Sequence, residues 1–292
     1  MLAQSVQKTA RRAIQGTSRT VGRLTAGTRM SPDFLIVGAK RCGTTSMYRT
    51  LTGHPQVLSA VLHKEVHYFD TGYQHGPRWY QAHFPTKAKA GIVQRRTGHP
   101  AVTGEATPYY MWHPLAPGRI AADLPDVRLV VLLRDPVQRA YSEHAHGVSA
   151  GVEDQPFEAA LELEEERLAG EEARLITDPS YRSVHHAHHA YLRRGRYIEQ
   201  LERIEALVGR DRIHVIDSDA LFSEAGPAFE ALVTFLGLQP WAPPSLHNLN
   251  ARPRSAMSQA LQARLAEEFA PYDERLASWL GWTPSWRLTG VT

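Results

Sequence analysis

Apolar residues are distributed along this chain in two ways. The segments 34–37, Arg128–Leu133 and 212–216 are short stretches read as apolar runs, the last two opening on an Arg and the third interrupted by His214. Continuous runs, rather than alternating ones, are expected of parallel strands buried on both faces. Each is followed by apolar residues at helical spacing, over 45–51, 137–146 and 229–236. Two further stretches, 157–168 and Tyr197–Val208, show the same three- and four-residue spacing. Pro and Gly punctuate the connections, as at Gly53-His-Pro55, Gly98-His-Pro100, Pro117-Gly118 and Pro243-Pro244. No repeat or low-complexity segment is evident. Strands alternating with helices predict an α/β, doubly wound domain with a central parallel sheet flanked by helices. Ligands of such sheets bind outside the carboxyl ends of the strands.

Two of those strand ends carry candidate chemistry. After the first strand stands Gly38-x4-Gly43-Thr44-Thr45, with Lys40 and Arg41 inside the loop and Ser46 after it. A Gly-rich turn into a helix start presents backbone N–H groups and a positive dipole end to an anion. This is P-loop-like. It lacks the Lys after the second Gly that ATP and GTP loops use, and Thr44 stands in its place. The second run ends in Arg134-Asp135-Pro136, with Arg139 and Ser142 beyond.

Together the two segments resemble the sulfotransferases that use 3′-phosphoadenosine-5′-phosphosulfate (PAPS). A third segment, Lys64-Glu-Val-His-Tyr-Phe-Asp70, resembles the heparan-sulfate-type branch and its bacterial relatives. The resemblance runs from about Asp33 to the C-terminus. It implies that Lys40, Arg41, Cys42, Gly43, Thr44, Thr45 and Ser46 hold the 5′-phosphosulfate, and that Arg134 and Ser142 hold the 3′-phosphate. It makes Glu65 the base that removes the acceptor proton, with His67 or His63 as the alternative. Lys40 and Arg41 become the cations at the leaving phosphate; Arg41 acts by its charge, since an Arg does not readily donate a proton. If 64–69 is extended, Glu65 and His67 share a face and Lys64 lies opposite.

Gly104-Glu-Ala-Thr-Pro-Tyr-Tyr110 resembles the family's E-K-T/S-P-x-Y stretch, with Ala106 where many members have Lys. The resemblance makes Glu105, Tyr109 and Lys64 acceptor contacts. Arg193, Arg194, Gly195 and Tyr197 resemble a stretch near the adenosine end, and Arg252 and Arg254 stand in a late basic loop over the cofactor. PAPS is thus the implied donor, released as 3′,5′-adenosine bisphosphate, with no metal. The implied acceptor is a small molecule, glycan or glycolipid. The rival readings are a nucleotide kinase, which needs the missing Lys, and a non-catalytic nucleotide-binding module.

Composition narrows this picture in three places. The 292 residues are 42% hydrophobic, enough for one large α/β domain. Residues 1–30 carry six bases and no acid, while the rest holds 27 bases against 30 acids. The basic character belongs to the tail, so nucleic acid is not an expected partner. The tail is read as a flexible extension preceding a sulfotransferase domain over 31–292, or as a weak contact with an anionic membrane surface. No run reaches the roughly 18 apolar residues of a membrane-spanning helix. The expectation is a soluble, bacterial, cytoplasmic enzyme, peripheral at the inner membrane face if the tail binds lipid. The one cysteine, Cys42, excludes an intrachain disulfide. His185, His186, His188 and His189 cannot all face one ion, and are read as an exposed or acceptor-facing helix start. Arg139 is expected in a surface pair with Asp135 or Glu143, and 162–166 as a solvated acidic face.

Overall fold

A computed structural model describes residues 24–61, 63–223, 225–243 and 257–288. Five parallel strands form one sheet in the order β2-β3-β1-β4-β5. They are β1 Phe34–Gly38, β2 Val57–Ser59, β3 Val102–Ala106, β4 Arg128–Leu133 and β5 Ile213–Asp217. The connecting helices are α1 Thr44–Leu51, α2 Lys87–Thr97, α3 Ala116–Asp123, α4 Pro136–Ala150, α5 Val184–His188, α6 Tyr197–Val208, α7 Ser218–Ser223, α8 Ala225–Phe235 and α9 Gln259–Leu280. Short helices over Phe157–Glu162, Glu164–Leu168 and Glu171–Thr177 lie between α4 and α5.

All of β1 is buried, and so is β4 from Leu129 onwards. This is why their sequences read as unbroken apolar runs. Strand β1 sits at the centre, pairing with β3 through Phe34 and Gly104 and with β4 through Phe34 and Arg128. The chain builds β2 and β3 on one side of β1, then crosses to β4 and β5 on the other. That reversal of direction opens a crevice at the carboxyl end of β1. Gly104 is required where β3 meets β1, because a β-carbon there would lie 2.4 Å from the Phe34 carbonyl oxygen.

The structure adds detail to these expectations. Packed residues already occur ahead of residue 31. Ala26 is buried, Arg29 Nη1 donates to the Phe84 carbonyl at 2.7 Å, and Met30 N donates to the Pro85 carbonyl at 2.9 Å. The helical stretch 157–168 breaks at Leu163. With the break, Glu164 is buried and accepts from Leu192 N at 2.7 Å and Arg193 N at 2.8 Å, so the acidic run is not wholly solvated. Burial pushes the Glu164 carboxyl up to about 7. Finally, no helix among the described residues is long and apolar enough to cross a membrane.

Candidate active site

The first anion loop owes its shape to two left-handed residues. Arg41 has φ +72° and Gly43 has φ +85°. Flanking Cys42, they curl the backbone so that successive N–H groups face one concavity. The unbonded first-turn N–H groups of α1 extend that donor array. Gly43 is the N-cap of α1. A β-carbon at Gly43 would lie 2.7 Å from the Phe222 ring, so α7 packs directly on the loop. The α7 residue Ser218 ties the same loop by donating to the Cys42 carbonyl at 2.7 Å. Lys40, Arg41, Cys42, Gly43, Thr44 and Thr45 all line the cleft; Ser46 is buried and does not. Burial pushes the Cys42 thiol up to about 12, which keeps it protonated and inert.

The second anion segment starts where β4 ends. Asp135 caps α4, accepting from Val137 N at 2.8 Å, and Pro136 takes the first helical position. Arg41 Nε donates to Ser142 Oγ at 3.2 Å, joining the two segments across 101 residues of sequence. The Arg134 guanidinium reaches the same cleft, with Nε 3.4 Å from Asp219 Oδ1. The ends of β1, β4 and β5 therefore share one cleft of about 620 Å³.

Its floor is a buried charge cluster. Glu143 is 1% exposed and is surrounded by three cations. Lys40 Nζ stands 3.0 Å from Glu143 Oε1, and both Arg139 and Arg194 donate to the same carboxylate. Burial works to raise Glu143, but Arg194, Lys40 and Arg139 hold it down at about 2. Three positive groups on one carboxylate leave a net positive floor under the two anion loops. Burial also pulls the Lys40 ammonium below its ordinary value, against the attraction of Glu143. Arg139 thus pairs with Glu143 as one of the two expected partners, but in the core and not at the surface.

The third element faces the anion loops from the β3 side. Ala106 N donates to the Lys64 carbonyl at 2.9 Å, and Val66 N donates to Glu105 Oε2 at 3.0 Å. Those two bonds hold the backbone of 64–66 against the end of β3. Glu65 and Lys64 both project into the cleft, and Lys64 Nζ is 2.8 Å from Glu65 Oε1. Lys64 is therefore not opposite Glu65, because the segment is not a regular strand and His67 takes a left-handed φ of +56°. His67 bridges two carboxylates: Nδ1 lies 2.7 Å from Asp70 Oδ2 and Nε2 lies 3.5 Å from Glu65 Oε2. Burial lowers the imidazole, but Asp70 and Glu65 together raise it to about 10. In the same way burial raises Glu65, while His67 and Lys64 bring it down to about 2. His67 is then a cation at neutral pH and has no lone pair for a proton. Glu65 stays an ionised carboxylate facing the cleft. His63 does not line the cleft.

Two of the assigned contacts are buried and do not line the cleft. Glu105 is 0% exposed and does not reach the cleft. It accepts from Tyr80 (2.9 Å), Tyr110 (3.0 Å), Thr107 (2.6 Å) and Val66 N (3.0 Å). Burial still raises its carboxyl. Tyr197 is likewise buried, with its hydroxyl donating to the Arg134 carbonyl at 2.9 Å. It braces the second anion segment from behind. Tyr109 does line the cleft, held through its hydroxyl 2.8 Å from His186 Nδ1. His186 stacks on Trp112, and burial drives it down to about 2, so it is neutral. Of the histidine cluster only His188 faces the cleft; His185 and His189 pair through Nδ1 atoms 2.9 Å apart. Among the described residues no three His, Cys, Asp or Glu side chains converge as metal ligands. Arg252 and Arg254 lie outside the described residues. Sequence reasoning missed Asp219, which orients Arg134, and Phe222; both follow β5 with no motif to mark them.

Comparison with known proteins agrees with this geometry. Residues 31–246 match the sulfotransferase domain family. Human heparan sulfate glucosamine 3-O-sulfotransferase 6 is 39% identical over 123 residues, covering 42% of this chain and 32% of that protein. The Drosophila melanogaster bifunctional heparan sulfate N-deacetylase/N-sulfotransferase is 26% identical over 217 residues, covering 72% of this chain and 20% of that protein. The chain thus spans a third or less of either relative's length. The crystal structure of a sulfotransferase from Alicyclobacillus acidocaldarius aligns with a TM-score of 0.62 at 25% identity, over 88% of this chain and 99% of that one. The chain belongs to the sulfotransferase domain family.

Proposed function

We propose that this sulfotransferase moves a sulfuryl group from PAPS to a hydroxyl or amine, and that its acceptor is a carbohydrate or glycolipid. The observation that carries the donor assignment is the Arg41–Ser142 contact. It brings two anion-binding segments into one cleft, as a nucleotide with phosphates at both its 3′ and 5′ positions requires. The 5′ end would rest on the N–H groups of the loop 39–45, and the 3′-phosphate on Arg134 and Ser142. The named activities of the heparan sulfate relatives support the glycan acceptor.

The residues divide the work of transfer. Arg41, with the positive floor beneath it, stabilises the charge that grows on the leaving phosphate oxygen. Glu65 accepts the proton from the acceptor oxygen or nitrogen. At about 2 it is a weak base, so it takes the proton only as the new bond to sulfur makes that proton acidic. Lys64 and His67 fix its two oxygens and keep it ionised. Lys64, His67, Thr71, Tyr109 and His188 in the cleft lining offer the polar groups that a sugar needs. The test is incubation with PAPS and a panel of hydroxyl- and amine-bearing oligosaccharides and glycolipids, read by mass spectrometry. The expected result is a mass gain of one SO₃ that depends on Glu65. Transfer to none of them, but to a phenol or a protein tyrosine, would overturn the acceptor class.

A further inference from the structure

Charge in this chain is segregated beyond the N-terminal segment. Residues 1–30 hold six bases, and α2 holds Lys87, Lys89, Arg95 and Arg96, with no acid in either. The remainder carries 23 bases against 30 acids. The structure brings the last residues of the first segment against the second. Lys87 Nζ donates to the Gly27 carbonyl at 3.3 Å, and Arg29 pairs with Thr86 in an antiparallel bridge. Thr86 is the N-cap of α2, so residues 27–29 lie against the start of this helix.

Helix α2 has no buried residue, and its four cations are all exposed. None of them takes part in the ion pairs found among the described residues. An ordinary solvated helix mixes both signs; this one does not. Lys89, Ile92 and Arg96 share a face by helical spacing, and Ile92 is 58% exposed. Leu24, at the start of the described chain, is 77% exposed. Aliphatic side chains set among unpaired cations match the interface of an anionic bilayer, which takes both. A polyanionic sugar would attract the cations but give Ile92 and Leu24 nothing to enter. No described residue of either segment lines the cleft.

We propose that α2, with the adjoining stretch from Leu24 to Arg29, forms a docking face for an anionic lipid surface. The chain rests on that surface by charge and two shallow aliphatic anchors, with the catalytic cleft left free. The test is co-sedimentation of the full chain with phosphatidylcholine vesicles, and with vesicles containing phosphatidylglycerol, at low and high salt. Binding is expected only to the anionic vesicles and fades with salt. The variant K87Q/K89Q/R95Q/R96Q should weaken it on the order of a hundredfold, with thermal stability and nucleotide binding unchanged. I92S should weaken it further without altering its salt dependence. Absence of binding to anionic vesicles would overturn the proposal. So would full binding by the quadruple variant, or retention on heparin without vesicle binding.

Discussion

Replacing Glu105 by Ala removes one acceptor from four donors at once. Tyr80, Tyr110, Thr107 and Val66 N all point at this carboxylate in a site with no solvent exposure. Each buried donor left unmet costs about 1–3 kcal/mol. The two tyrosine hydroxyls can turn toward each other; the Val66 N–H cannot turn, and keeps only its longer contact with Thr107 Oγ1 at 3.2 Å. Glu105→Ala should therefore cost about 3–5 kcal/mol, near the limit for one substitution. Glu105→Gln separates shape from charge. Its amide oxygen would face Val66 N and Thr107, and its NH₂ would face the tyrosines, whose hydroxyls rotate to accept. That variant should lose only about 1–2 kcal/mol. Val66 adjoins Glu65, so the damage should reach the base. Turnover should fall by up to about 10²-fold in Glu105→Ala, with donor-nucleotide affinity intact. Urea unfolding and single-turnover transfer give the two numbers. A loss of stability below about 1 kcal/mol in Glu105→Ala, or a loss of nucleotide binding without loss of turnover, would refute the reasoning.

Glu65→Gln should abolish transfer, a drop of about 10²–10⁴ in rate, while calorimetry shows nucleotide binding unchanged; wild-type turnover would displace Glu65 as base. The Glu65 carboxylate is held at about 2 and His67 at about 10, so the rate should stay flat through neutral pH, falling as Glu65 protonates in acid and as His67 loses its proton in base. In His67→Gln the acid limb should move up toward the ordinary carboxylate range, seen in a pH–rate profile; an unmoved limb would show that His67 does not hold Glu65. The same pair acts on stability: the His67 contribution is present below its unfolded value of 6.5 and lost as pH rises through about 10, while that of Glu65 is present above 4.5 and lost as pH falls through about 2. Both side chains are some 40% exposed, so screening keeps that effect small. Removing residues 1–23 should leave the melting temperature unchanged, but removal through Met30 should cost about 1–3 kcal/mol by stripping the bonds to Phe84 and Pro85. Equal stability of the two truncations would place the boundary at residue 31.

What could be read from the sequence follows the kind of burial. Strands β1 and β4 are buried by apolar side chains, and their residues announce it. Strand β3 is Val-Thr-Gly-Glu-Ala, and nothing in that string suggests a core strand. It is buried because Thr103 Oγ1 donates to the Leu58 carbonyl, Gly104 lets β1 approach, and Glu105 meets four donors. Each of those facts depends on a distant partner. The anion loop was legible because its glycines and cations are adjacent in the chain. The Lys40–Glu143–Arg139–Arg194 cluster was not, since it draws on three separate segments. Local motifs located the cleft, while the supports behind it required the fold.

The central claim is that both anion segments serve one donor with phosphates at 3′ and 5′. Titration calorimetry of the wild type and Arg134→Ala with 3′,5′-adenosine bisphosphate and with 5′-AMP tests it directly. A forked contact to the 3′-phosphate contributes about 1.5–3 kcal/mol. The account predicts tight bisphosphate binding, much weaker AMP binding, and a preference largely erased in Arg134→Ala. Equal affinity of the wild type for the two nucleotides would contradict it.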